Sequence, residues 1–198
     1  MLCLHTGVLS ATVRGGRLGT EFSYGDTFGL FNAGLGSTYN GLPSMAFWYH
    51  FTDWVAVNVR TGFYMTGGNR QDSYSSSKEN YVSFGTSIEV PFYVARFERV
   101  HLYLAPSFGY TFNWATSSST DELVGSDKSK LLDEFFSTFA VFGVQIEVMD
   151  QLHIIGRTTL GYIWGNVNQD YAYGSNRGRH LSYFGFQSWS LGAVVYFN

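Results

Sequence analysis

The sequence contains few charged residues, few prolines and almost no cysteine. Its 198 residues include one cysteine, Cys3, three prolines and 14% charged residues, against roughly 25% in ordinary globular proteins. One cysteine excludes an intrachain disulfide and a cysteine-based metal site. No run approaches the roughly 18 to 20 apolar residues of a membrane-spanning helix. The net charge of -3 and the lack of a basic run exclude nucleic acid as a partner.

Aromatic residues and glycine are abundant instead. Aromatics make up 19% of the chain, and 14 Tyr and 18 Phe give it a strong preference for strands. The mean hydropathy is -0.04, which is typical of alternating apolar and polar positions. The composition therefore predicts an all-β fold.

Short and long connections alternate along the chain. The short connections lie at residues 52–53, 97–99 and 150–151, and the long ones at residues 67–80, 115–134 and 167–180. Barrels of the outer membrane have short periplasmic turns and longer external loops. We therefore predict an eight-stranded antiparallel up-and-down transmembrane β-barrel over residues 16–198. We interpret residues 1–15 as an N-terminal segment outside the barrel, a remnant of a secretory signal.

The first hairpin is open to two interpretations. One places the first strand at residues 17–28, with Leu18, Phe22 and Tyr24 outward, and the second strand at residues 30–51. The other places the first turn at residues 39–42, because Asn-Gly is a strong turn signal. Both give eight strands.

Each predicted strand has one apolar and one polar face. In a membrane barrel the apolar face points outward to lipid, whereas in a soluble lipocalin-like barrel it points inward. The polar faces are rich in Gly, Ser and Thr, which suits a crowded interior. Aromatics gather near the strand ends, as with Trp54 at one rim and Trp114 and Trp164 towards the other. These features favour lipid outside, and the soluble ligand-binding barrel is the alternative.

The last strand ends in a spacing typical of outer-membrane assembly signals, with Ser190, Gly192, Val195 and Phe197 at the matching positions. Over about residues 16–198 the chain resembles the small OmpA/OmpX-type outer-membrane barrels. The resemblance implies a monomer in the bacterial outer membrane, in contact with bilayer lipid and lipopolysaccharide and inserted by the barrel-assembly machinery. One departure is Asn198, since such signals usually end on the aromatic residue.

The polar faces carry few ionisable side chains: Glu21, Arg60, Glu89, Glu147, Arg157, His101 and His153. Because an enclosed charge needs a partner, we predict a polar network of Arg60, Glu89, Glu147 and Arg157 that closes the lumen. In this prediction Arg60 pairs with Glu89, and Glu147 pairs with Arg157. The two histidines have no third ligand at a sensible spacing, so we expect no metal.

No catalytic constellation stands out in the sequence. His180 and Ser182 faintly resemble the His-x-Ser of lipid A deacylases, but Tyr183 replaces the usual Asn, and no acid completes a triad. We expect neither enzymatic activity nor a cofactor, and a structural or adhesive role through the external loops. The alternatives are a narrow channel, a lipid hydrolase and the soluble barrel.

Overall fold

The computed structural model describes residues 15–26, 42–71, 75–121, 125–171 and 174–197. Its strands are β1 (Leu18–Asp26), β2 (Leu42–His50), β3 (Ala56–Gln71), β4 (Ser75–Glu89), β5 (Phe92–Phe97), β6 (Val100–Asp121), β7 (Gly125–Met149), β8 (Leu152–Tyr171) and β9 (Gly174–Phe197). Among these residues, no helix is long and apolar enough to cross a membrane.

The strands form one closed antiparallel barrel. Strands that follow each other in sequence pair around the ring, and the pairing of β1 with β9 closes the barrel. Segments β4 and β5 both pair with β6 and are two halves of one barrel strand, interrupted at Val90 and Pro91. Because proline has no amide hydrogen, the ladder is broken there. The barrel therefore has eight strands, as predicted.

The three short turns lie where the sequence places them. Phe51 donates its amide hydrogen to the carbonyl of Val55 over 3.0 Å in the first turn. Glu98, in the second, has a φ of 41°. The third joins β7 to β8 at Asp150 and Gln151.

The predicted long loops are wrong, because the strands run through most of each segment. Strands β6 and β7 have 22 and 25 residues, whereas roughly 9 to 11 residues of a tilted strand cross a bilayer. Their polar Ser- and Thr-rich ends resemble a loop in composition. The membrane-spanning part fixes the register, however, so the backbone hydrogen bonds continue outward along the same ladder.

At the first hairpin, β1 and β2 pair from Leu18 opposite Tyr49 to Asp26 opposite Leu42. Residues 27–41, which hold most of the predicted turn at residues 39–42, lie outside the described residues. So do residues 1–14 of the predicted N-terminal segment.

The assignment of faces is confirmed. Apolar side chains of every strand point outward, with Phe186 and Trp189 the most exposed at 72% and 73%. Polar side chains at the alternate positions are buried inside, among them Asn58, Ser83 and Thr111. The soluble alternative requires the opposite arrangement.

Candidate functional site

Four charged side chains meet in the middle of the barrel and form what we call the charge quartet: Glu21 on β1, Arg60 on β3, Glu89 on β4 and Arg157 on β8. Each is at most 5% exposed. Arg60 lies 3.1 Å from Glu21 and 3.6 Å from Glu89, and Arg157 lies 3.4 Å from Glu89 and pairs with Glu21. Every charge therefore touches two opposite charges, and the quartet is neutral.

Hydrogen bonds from neighbouring strands complete the quartet. Arg60 Nη1 donates to Ser23 Oγ over 2.8 Å, and Arg157 Nε donates to Ser190 Oγ over 2.8 Å. The indole Nε1 of Trp48 donates to Glu21 Oε2 over 2.7 Å. Removing ions from water is costly unless such contacts satisfy both partners, and these hydrogen bonds offset part of that cost.

The quartet contains one of the two predicted pairs. Arg60 does meet Glu89. Arg157 pairs with Glu21 and Glu89 instead of Glu147, because Glu147 lies opposite His153, four positions closer to the turn. Four strand residues separate positions by about 13 Å. Glu147 is buried beside the histidines below the quartet.

Between the quartet and the short turns lies a layer of histidine and aromatic side chains, which we call the histidine–aromatic layer: Trp48, His50, Tyr93, His101, Tyr103, Gln145, His153 and Tyr196. Gln145 holds its centre. Its amide nitrogen lies 2.8 Å from His153 Nδ1 and 2.9 Å from the Tyr196 hydroxyl, and its oxygen accepts from Tyr93 over 2.6 Å. The layer thus fills the periplasmic half of the lumen.

His101 and His153, which the sequence places on the polar faces, are both fully buried inside the barrel. Their rings stack with centroids 6.5 Å apart. Within the described ranges, no three His, Cys, Asp or Glu side chains lie where they could hold a metal ion.

The sequence interpretation did not single out Trp48, His50, Tyr93 and Tyr196, because among the polar-face residues it considered only charged side chains and two histidines. Parity would have identified them. Trp48 and His50 alternate with the outward Phe47 and Tyr49, so they belong to the polar face.

The external half of the lumen is apolar. It is filled by Ala115, Leu131, Phe135, Ile163 and Val167, with Tyr81, Phe139 and Leu181 packed against them. Just below, Ser83 donates to Asn113 over 2.7 Å, and the buried Asp133 lies opposite Asn113. Three stacked layers therefore occupy the interior.

The two residues of the deacylase comparison lie far from these layers. His180 is exposed on β9, and its Nδ1 lies 3.2 Å from Asn166 Oδ1 on β8. Ser182 is exposed two positions along the same strand. Both sit on the external half of the barrel.

The four residues of the assembly signal lie on β9, the strand that closes the barrel against β1. Ser190 points inward to Arg157, while Val195 and Phe197 point outward. Gly192 faces Ser23, and a Cβ there would lie 2.6 Å from the Ser23 Cβ. Only glycine fits at this crossing.

Two girdles of exposed aromatic side chains bound the outer face. Phe51, Trp54 and Phe97 lie at the short turns, and Trp114 and Tyr162 lie on the external side. From Val100 to Trp114 the strand runs about 46 Å, or about 35 Å across a bilayer at a tilt of about 40°. A closed barrel with an apolar band of this height is an outer-membrane β-barrel.

Comparisons with known proteins give similarity to solved structures alone. No family model and no curated protein matches the chain. CarO2 of Acinetobacter baumannii is similar with a TM-score of 0.48 and 7% identity over 91% of this chain and 98% of that one. A major outer membrane protein from Thermus thermophilus has a TM-score of 0.46 and 14% identity over 92% and 99%. Ail, the attachment invasion locus protein of Yersinia pestis, has a TM-score of 0.41 and 14% identity over 92% and 99%.

Proposed function

We propose that this outer-membrane barrel is monomeric, has a closed lumen and acts at the cell surface through its three long hairpins, in a structural or adhesive role. The observation that carries the proposal is the combination of a filled interior with strands that project far beyond the membrane. It has no catalytic role and needs no cofactor. Its partners are bilayer lipid, lipopolysaccharide and the assembly machinery that inserts it.

The closed lumen follows from the three interior layers. An ion entering from the periplasm meets the histidine–aromatic layer, then the charge quartet, then the apolar cluster around Phe135. Each quartet charge is already neutralised by two partners. A barrel of eight strands leaves room only for its own side chains.

The surface role follows from the length and pairing of the hairpins. Beyond Trp114, β6 continues to Asp121, which projects about 23 Å along the strand. The hairpins β3–β4, β6–β7 and β8–β9 are hydrogen-bonded to one another as a continuous sheet. A rigid projecting sheet presents a fixed surface to a partner.

Planar-bilayer recording tests the closed lumen. The refolded protein should give no steady conductance in 1 M salt. A variant with Arg60→Ser and Glu89→Ser should not conduct either, because the histidine–aromatic layer and the apolar cluster still close the lumen on the two sides of the quartet. Steady single-channel conductance of the unmodified protein overturns this part of the proposal and favours the narrow channel.

Adherence of whole cells tests the surface role. Thr116 lies opposite Lys130, so an Asn-Gly turn can join them in place of residues 117–129. Cells displaying the full protein should adhere better than cells with the trimmed hairpin to polystyrene coated with collagen, fibronectin or nothing. A matched control trims β3–β4 between Gly67 and Asn80, which are also opposite each other. Equal adherence of all three cell types, at equal surface amounts, contradicts an adhesive role.

A further inference from the structure

All three lysines of the chain lie side by side on the outside of the barrel. Lys78 is on β4, and Lys128 and Lys130 are on β7. Strand β6 lies between them, with Ser118 opposite both Lys78 and Lys128, and Thr116 opposite Lys130. We call these five residues the lysine patch.

The patch faces outward. Lys78, Lys128 and Lys130 are exposed, and they share parity with the outward Trp114 and Phe136. The intervening Ser117 and Ser129 face the other side, where their hydroxyl oxygens lie 3.1 Å apart. The three ammonium groups therefore project from one surface.

The spacing of the patch suits a phosphate. Backbones two strands apart are separated by about 10 Å, and alternate residues of one strand by about 7 Å. Lysine side chains about 6 Å long can converge across such distances, and the hydroxyls of Thr116 and Ser118 lie between them. Ammonium and hydroxyl donors together are typical of phosphate sites.

The lysines of the patch form no ion pair among the side chains that the structure describes. Within the described ranges, the recorded ion pairs join the arginines and glutamates of the quartet, and none involves a lysine. On the neighbouring strands, Glu79 faces the other side of β4, and Asp170 lies opposite Lys130 on β8. Glu134 lies on the outward face of β7, four residues from Lys130, and accepts a hydrogen bond of 3.3 Å from Tyr110. At the level of the patch, the carboxylate opposite a lysine is therefore Asp170.

The depth of the patch matches the lipid headgroups. Lys130 lies opposite Thr116, two residues beyond Trp114 on β6, and Lys78 and Lys128 lie opposite Ser118, four residues beyond it. These positions are about 7 and 13 Å along the strand, or about 5 and 10 Å across the bilayer at a tilt of about 40°. Tryptophan marks the interface of the bilayer, and the polar headgroup region extends several ångströms beyond the hydrocarbon core. Phosphates of the outer leaflet therefore lie at the level of the three ammonium groups.

We propose that the lysine patch is a binding site for the phosphate groups of an anionic glycolipid of the outer leaflet, the diphosphorylated lipid part of lipopolysaccharide. The site rests on the membrane placement in the proposed function, and it gives the β4–β6–β7 sheet a fixed contact with the lipid. All three lysines belong to the patch and the nine arginines lie elsewhere in the chain, so a reagent that labels lysine side chains labels this site.

Reductive methylation with ¹³C-formaldehyde makes the site visible, because it labels only the three lysines and the terminal amine and keeps their charge. The labelled barrel in zwitterionic detergent micelles should show shifts of three dimethyl-lysine signals on titration with diphosphoryl lipid A. Dephosphorylated lipid A and inorganic phosphate should give none. Shifts of the same size with inorganic phosphate overturn the assignment to a lipid, and no shift with lipid A overturns the site.

Matched variants separate the site from net charge. Replacing the three lysines with Gln should weaken binding of lipid A by about tenfold or more, whereas replacing Arg99, Arg177 and Arg179 with Gln should leave it within about threefold. Asp170→Asn should tighten binding, because it removes the carboxylate opposite Lys130. Equal weakening by both triple variants overturns the proposal. A heat-shifted gel band shows that each variant is folded, so loss of the site is distinguished from loss of the barrel.

Discussion

Trp48 donates a hydrogen bond of 2.7 Å from its indole to Glu21, and both side chains are fully buried. Trp48 belongs to the histidine–aromatic layer and Glu21 to the charge quartet, so this bond joins the two layers. Glu21 also pairs with Arg60 and Arg157. One carboxylate thus receives donors from three strands.

Replacement of Glu21 by Gln should lower the free energy of unfolding by about 3 to 5 kcal/mol, because it leaves two buried arginines with one carboxylate, Glu89. Urea unfolding of the refolded barrel, followed by the heat-shifted gel band, measures the change. Glu98→Gln, in an exposed turn, should change it by less than about 0.5 kcal/mol.

A double variant distinguishes loss of the quartet from a general loss of charge. Glu21→Gln combined with Arg157→Gln should cost less than the sum of the two single changes by about 1 kcal/mol or more, since the residues touch. Strict additivity would contradict the quartet.

Gly143 leaves space for the ring of Tyr103, which lies opposite it in the pairing of β6 with β7. A Cβ at Gly143 would overlap the Tyr103 ring. Gly143→Ala should therefore destabilise the barrel by about 1 to 3 kcal/mol in the same urea assay. Gly68→Ala is the control, since nothing lies within 4 Å of its added Cβ. Tyr103→Leu in the Gly143→Ala background should restore part of the loss, and equal effects of both glycine changes would argue against the contact.

The faces of the strands and the Arg60–Glu89 pair could be predicted because both depend on short-range order. Alternation sets the face of each residue, and strands joined by a turn place their residues at known heights. Arg60 and Glu89 lie on such neighbours. The role of Glu21 depends instead on the register of β1 with the last strand and on arginines that reach across the lumen, which no local pattern contains.

The interior aromatic residues and the long strands were missed for different reasons. Trp48 and His50 were not singled out, although their parity places them inside, because only charged side chains and two other histidines were considered on the polar faces. Ser117 to Ser119 look like a loop because they are polar and lack an apolar face. In water beyond the bilayer a strand needs no apolar face, provided that both neighbouring strands supply hydrogen bonds to its backbone.

Hydrogen exchange tests the extended hairpins. Amides of residues 116–119 on β6 have paired strands on both sides, β4 and β7. Residues 98–99 form the exposed turn between β5 and β6. We expect residues 116–119 to exchange at least about tenfold more slowly than the amides of this turn, measured by mass spectrometry or NMR in micelles. Exchange of residues 116–119 within seconds at neutral pH would instead indicate the loop that their composition suggests.

Phe197 tests whether the end of β9 is an assembly signal or only part of the wall. It is 56% exposed on the outer face, opposite Leu18, and Phe186 is 72% exposed on the same strand outside the signal. Because both rings face lipid, replacing either with Ala should cause a similar, modest loss of stability after refolding in micelles. If the end of β9 is an assembly signal, only Phe197→Ala should reduce the assembled, heat-shifted fraction in cells, by severalfold, because Phe186 lies outside the signal. If the two variants assemble equally well, the C-terminal residues act through packing alone, and Asn198 after the aromatic residue then has no bearing on assembly.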